Sequence, residues 1–314
     1  MESLALMLSA SVNAGTILAL AALGLLVNER AGVVNLGAEG MMLVGGLAAY
    51  ATALHHPSLL AFAAGAGAGM VLAALFGLLV VGLGTNQYAT GRALTLFGTG
   101  FSAFAGAGLV DQQLPDLPRP ALAFLPGLAT LPDLPAFPFL GRAVLGYHPL
   151  VYLAVALAAG LAWFLFRSRA GLVVRAAGES PQSAHALGLP VRRVRFAAVV
   201  FGGALCGLAG AYVSIVYAHL WVEGLTAGKG WIALALTTFA TWRPSRVLLG
   251  AYLFGGVTML QFHLQGRGVD IESHLLGMSP YVATILVLVL ISRNRAWVRV
   301  NMPASLGKAF RPDN

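Results

Sequence analysis

Residues 29–46 read "ERAGVVNLGAEGMMLVGG". Glu39 stands between two apolar runs, 18–27 and 41–53, in a chain where only 10% of residues are charged. A carboxylate at membrane depth costs roughly 2.5–3.5 kcal/mol on insertion scales and is turned toward a cavity or a partner. Gly32, Gly37 and Gly40 surround it, together with Asn35. Glycine weakens a helix by about 1 kcal/mol against alanine. The segment 29–40 therefore reads as an interrupted helix whose exposed backbone lines a cavity, where irregular backbone is tolerated at that depth. Glu39 has two compatible readings. It belongs to a translocation pathway, or it caps the exposed N–H groups of a half-helix.

The rest of the chain places this segment in a bilayer. Hydrophobic types make up 58% of the 314 residues, and a soluble domain is nearer one-quarter charged. The apolar residues fall in runs near the roughly 20 residues that one spanning helix needs. Windows near 8–27, 33–54, 59–83, 92–110, 149–167, 196–217, 226–241, 246–263 and 279–297 give about nine spans, within a range of eight to ten. The expectation is an all-α polytopic membrane protein with broken helices, and one permease domain over 1–314. The N-terminal run lacks a basic flank and is too long for a signal peptide, so it reads as a retained first span. One cysteine, Cys206, allows no internal disulfide. The net charge of +8 reflects basic loops rather than nucleic-acid binding.

The positive-inside rule orients the chain. With the C-terminus cytoplasmic, fifteen of the nineteen basic residues face inward, including Arg30, Arg92, the cluster at 167–195, Arg243, Arg246 and the tail. The loop 111–149 then lies outside; its proline density prevents regular structure. It reads as a connector or as a docking surface for an external partner.

The cytoplasmic loop 168–195 is more patterned. Ser180 is placed to N-cap a short helix and Pro181 to begin it. Ala184, Ala186 and Leu187 continue it, Gly188 ends it and Pro190 bars its resumption. Such a helix suits docking into a cleft on a cytoplasmic partner, or lies at the membrane interface without one.

Two further stretches carry polar groups into the membrane. "EGLTAGKGWIALALTTFATW" (223–242) repeats the arrangement of small residues before an apolar run, with Lys229 as its ion. Its run goes inward where the run after Gly40 goes outward, the pattern of an inverted-topology repeat with broken helices. "NQYATGRALTLFGTGFSAFAGAG" (86–108) begins with Asn86 and Gln87, which hydrogen-bond a solute or join helices. Gly65–Gly69 and Gly203–Gly207 are helix-packing motifs. Catalytic patterns are absent. "GLTAGKG" is one residue short of a phosphate loop and has Gly230 where magnesium would need Ser or Thr. The His residues are scattered, so no metal or cofactor is expected.

"ERAGVVNLGAEGMMLVGG", "NQYATGRALTLFGTG" and "RAAGESPQSAHALGLPVRRVRFAAVVFGGALCGLAGAY" together resemble the permease subunits of bacterial ABC importers. The branch is that of ribose, branched-chain amino acid and nucleoside permeases. The "GVVNLGAEGMML" form looks most like simple-sugar and nucleoside permeases that work with a basic-membrane-protein type binding lipoprotein. The resemblance covers about 15–265. It implies a multi-pass protein of the bacterial plasma membrane whose 180–188 helix docks into an ATP-binding subunit, often one with two fused nucleotide domains. Gly178, Glu179, Ser180, Ala184, Gly188 and Arg192 carry the coupling pattern; the family usually has Asn where Ser180 stands, and both residues cap. It further implies a second, homologous permease, hence a heterodimer, and an external binding lipoprotein that delivers the solute. Asn35, Glu39, Asn86 and Gln87 are the candidates for the central pathway, chosen from polarity and placement. The solute is a nucleoside first, a simple sugar second and a branched-chain amino acid third. An ion-coupled secondary transporter would share the broken helices, but Glu39 is nearly alone as an intramembrane ion. A membrane enzyme would need a catalytic constellation.

Overall fold

The computed structural model describes residues 2–114, 147–266, 278, 282, 289 and 301–311. Among these residues there are helices and no strands. Most of the Pro-rich loop, nearly all of the ninth expected span and the tail's Arg293, Arg295 and Arg299 lie outside the described residues.

Helix α1 (Glu2–Arg30) is apolar almost throughout and stays helical until Arg30. Gly32, at φ +89°, ends it by turning the chain into the left-handed region. The chain then climbs without helical pairing until α2 (Ala38–Ala53) begins. This is the interruption expected at 29–40. Helix α3 (Ser58–Gly77) follows and ends in a wider π turn, Leu78–Gly82. Helix α4 (Gln87–Gly106) is N-capped by Asn86, whose side chain accepts from the Tyr88 and Ala89 N–H groups.

After the Pro-rich loop, α5 (Pro149–Arg167) starts on a proline with His148 as its cap. The basic loop holds two helices, α6 (Arg169–Glu179) and α7 (Pro181–Ala186). Helix α7 stands where the capping signals place it. Helix α6 is additional: Ser168 caps it through the Gly171 N–H, and its half-polar composition hides it from hydropathy. Helix α8 (Val191–Tyr212) ends, like α3, in a π turn, Val213–Tyr217. A run of turns leads to α9 (Lys229–Phe239), and Thr241 and Trp242, both at positive φ, turn the chain into α10 (Pro244–Gly266).

Four of these helical runs are long and apolar enough to cross a membrane: Met7–Arg30, Ser58–Gly82, Pro149–Arg167 and Val191–Tyr217. Helices α1 and α8 form the buried centre, with α2, α3 and α10 packed on them. In lipid there is no hydrophobic drive between helices, so close backbone approach must hold them together. The two glycine motifs supply it by facing one another. A methyl on Gly69 would strike the Gly203 carbonyl and the Gly207 backbone, and one on Gly207 would strike the Gly65 carbonyl. Gly45 closes on Gly207 from α2 in the same way.

Candidate functional site

Helices α2 and α9 begin at one place, and Glu39 lies between their N-termini. It is the second residue of α2 and is 7% exposed. Its Oε1 accepts from the Thr226 hydroxyl and from the Gly228 N–H at 2.8 Å. Its Oε2 accepts from the Gly230 N–H at 2.6 Å. These donors belong to the first turn of α9 and the residues just before it, which have no intrahelical acceptor. The N-terminal dipoles of both half-helices favour a negative charge at this point. Lys229 turns its Nζ to the Thr226 carbonyl at 3.3 Å.

The depth of Glu39 follows from α9. This helix has 11 residues, or about 16 Å at the α-helical rise. Its far end lies beside the end of α1. There the Trp242 indole N–H donates to Glu29, and Arg30 Nε and Nη2 donate to the Trp242 carbonyl at 3.2 and 2.9 Å. Glu39 therefore sits about half a hydrocarbon core, some 30 Å thick, above the basic end of the molecule.

Two other predicted residues meet the same interruption. Asn35 is fully buried; its Oδ1 accepts from the Gly37 N–H at 3.0 Å and its Nδ2 faces Met41 Sδ at 3.4 Å. Gln87 accepts from the Val34 N–H at 2.8 Å. Thr95 adds a bond to the Leu36 carbonyl at 2.8 Å. The backbone from Val34 to Gly37 thus finds side-chain partners from α4 and from Asn35 in place of helical ones. Asn86 is not brought into this group: it is exposed and caps α4.

The residues expected to carry coupling gather at the basic end. Ser180 Oγ accepts from the Ser183 N–H and bonds the Ser183 hydroxyl at 2.8 Å. At the other end of α7, Gly188 takes φ +80°. The Gly188 N–H reaches His185 O and the Leu189 N–H reaches Ala184 O, the paired bonds of a Schellman cap. Ala184 is buried beside Ala177 and Val191, while Leu187 projects with 81% exposure. Gly178 lies against the end of α1, where a methyl would meet Gly32 N at 3.2 Å. Glu179 accepts from the Ala304 N–H at 3.2 Å, and Arg192 is exposed.

Sequence reasoning passed over several partners. Thr226, Gly228 and Gly230 hold Glu39, yet hydroxyl and glycine positions far along the chain carry no local sign of it. Arg195 looked like one of several membrane-face cations, but it is 2% exposed and bonds the Ala177 and Lys308 carbonyls and the Ser305 hydroxyl.

The described helices thus include two half-helices whose starts are joined by Glu39 and a short capped helix at the basic end. Residues 7–291 match the family described as "Branched-chain amino acid transport system / permease component", and the chain belongs to that family. It is 39% identical to TsgC13 of Haloferax volcanii, a permease whose name assigns it provisionally to a glucose ABC transporter, over 97% of both chains. It is 30% identical to NupC of Lactococcus lactis, a nucleoside ABC transporter permease, over 91% of this chain and 87% of that one. It is 31% identical to NupQ of Bacillus subtilis, a guanosine ABC transporter permease, over 86% and 87%. No solved structure gives a significant match. The protein is a membrane permease component of an ABC transporter, a transport subunit that associates with an ATP-binding subunit and a substrate-binding protein.

Proposed function

We propose that this chain is one permease of a heterodimeric, ATP-driven importer that brings a nucleoside or a simple sugar into the cytoplasm. The observation that carries the reading is α7. It is capped at both ends, anchored through buried Ala184, and presents Leu187 at 81% exposure on the basic end of the molecule. A rigid helix with one bare leucine is a ready fit for a cleft on an ATP-binding subunit, and the positive-inside rule puts this end in the cytoplasm. An external binding lipoprotein delivers the solute to the opposite face. The nucleoside and glucose relatives share an uncharged ring rich in hydroxyl groups, and that chemistry is the proposed substrate class.

The proposed pathway runs beside the interruption after α1. Asn35, Glu39 and Gln87 support it by holding the irregular backbone in one shape, and Asn86 offers an exposed amide at the start of α4. Helices α2 and α9 start from Glu39 and run in opposite directions, which supports an inverted repeat. The test is uptake by vesicles containing this chain with its ATP-binding subunit, partner permease and binding lipoprotein. Labelled guanosine and glucose are offered with and without ATP. ATP-dependent accumulation of either solute is expected; accumulation driven by an ion gradient without ATP would overturn the reading.

A further inference from the structure

The C-terminal segment 301–311 crosses the basic end and joins three elements that are far apart in sequence. Its first attachment is to the loop that carries α7. The Ser305 N–H donates to the Gly178 carbonyl at 3.0 Å, and the Ser305 hydroxyl bonds the same oxygen. The Ala304 N–H donates to Glu179. Phe310 is 8% exposed, packs with Ala184 of α7, and meets the His185 ring edge-on at 5.7 Å.

The second attachment is to the interruption between α1 and α2. The Gly307 N–H donates to the Gly32 carbonyl at 3.2 Å, and Arg30 donates to the Asn301 carbonyl at 3.1 Å. The third is to α4. Gln87, whose Oε1 holds Val34, turns its Nε2 to the Lys308 carbonyl at 3.4 Å. Buried Arg195 ties these attachments together through Ala177, Ser305 and Lys308. There is no slack at the junction: a methyl on Gly32 would meet Arg195 Nη2 at 2.7 Å and Ser305 Oγ at 2.8 Å.

We propose that residues 301–311 are a transmission strap, with Arg195 as its positioning residue, which passes displacement of α7 to the interrupted segment at Gly32–Gly37. The inference rests on the reading of α7 as the docking helix. Phe310 packs on α7, and hydrogen bonds tie the strap to the last turn of α6 and to the interrupted segment, so it moves with all three. A displacement at α7 enters the strap at Phe310, and through the end of α6 at Ser305; it reaches Gly32 through Gly307, and Val34 through Lys308 and Gln87. The strap is then part of the coupling between ATP hydrolysis and solute movement, while docking itself stays with α7.

The experiment uses the intact importer in vesicles and measures solute moved per ATP hydrolysed, together with retention of the ATP-binding subunit. Three variants are compared with the parent: Arg195→Gln, Phe310→Ala and a chain ending at residue 300. Arg195→Lys is the conservative control, and Phe310→Ala guards against misfolding of the others. The strap predicts that the subunit stays bound and hydrolyses ATP while solute moved per ATP falls at least tenfold, with partial recovery in Arg195→Lys. An unchanged ratio would overturn the strap, and so would loss of the subunit from the variants, since the tail would then serve assembly. A cysteine placed at exposed Gln182 of α7 separates the two ideas. If it cross-links to the ATP-binding subunit while the ratio stays unchanged, docking stands and only the strap fails. If it cross-links to nothing in the parent, the docking reading falls and the strap with it.

Discussion

The Glu39 carboxylate and the Gly230 N–H meet at 2.6 Å, joining two helix starts that are 191 residues apart in sequence. A methyl on Gly230 would lie 2.6 Å from the Glu39 N, so the approach requires glycine. One carboxylate thereby satisfies donors of α9 while sitting in the first turn of α2. Glu39→Gln replaces an all-acceptor group by one whose amide N–H₂ faces backbone N–H donors. Hydrogen bonds to a charged group contribute about 1.5–3 kcal/mol, and a loss of about 2 kcal/mol is expected. The variant should still assemble with its partners, melt at lower temperature and take up solute more slowly. Thermal melting in detergent and vesicle uptake check this.

Gly230→Ala tests the same contact from the other side. It retains the carboxylate and forces the two helix starts apart. Its uptake defect should match that of Glu39→Gln, and the double variant should lose little more than either single one. Additive losses would show that the two residues act independently.

Ser180→Ala removes the α7 cap and should destabilise that helix by about 1 kcal/mol. Ser180→Asn keeps a capping acceptor and should transport normally. Neither change touches the membrane core, so melting of the whole protein should move little while Ser180→Ala lowers solute moved per ATP.

Leu187→Asp places a charge on a side chain that is 81% exposed. Surface changes of this kind shift stability by only about 0.5 kcal/mol, so the isolated chain should melt normally. Copurification of the ATP-binding subunit should nevertheless fall. Glu179→Lys should leave the fold intact and uncouple transport, since it removes the acceptor of the Ala304 N–H and reverses the charge beside α7.

Gly207→Val is the contrasting case. Gly207 touches Gly45 on one side and Gly65 and Gly69 on the other. A branched side chain there separates α8 from α2 and α3, and the expected result is loss of folded protein in the membrane.

What could be read from the sequence followed local physics. The helix break at Gly32–Gly37, the caps Ser180 and Gly188 and the facing glycine motifs each leave a mark within a few residues. What could not be read was long-range. Nothing near Thr226 announces that its hydroxyl donates to the Glu39 carboxylate, and hydropathy cannot see α6, whose surface is half polar. The polarity of Gln87 is legible, but its bond to Val34 depends on how α4 meets the interruption and its bond to Lys308 on where the tail lies. Arg195 was one arginine among several until burial set it apart.

The most direct measurement is cross-linking from α7 in native membranes. Cys206 is fully buried and gives little background. A chain carrying Gln182→Cys is treated with a short thiol-to-amine reagent, and its adducts are identified by mass spectrometry. The account predicts an ATP-binding subunit as the main adduct, with a yield that changes when ATP is added. Adducts to lipid alone, or to no protein, would contradict it.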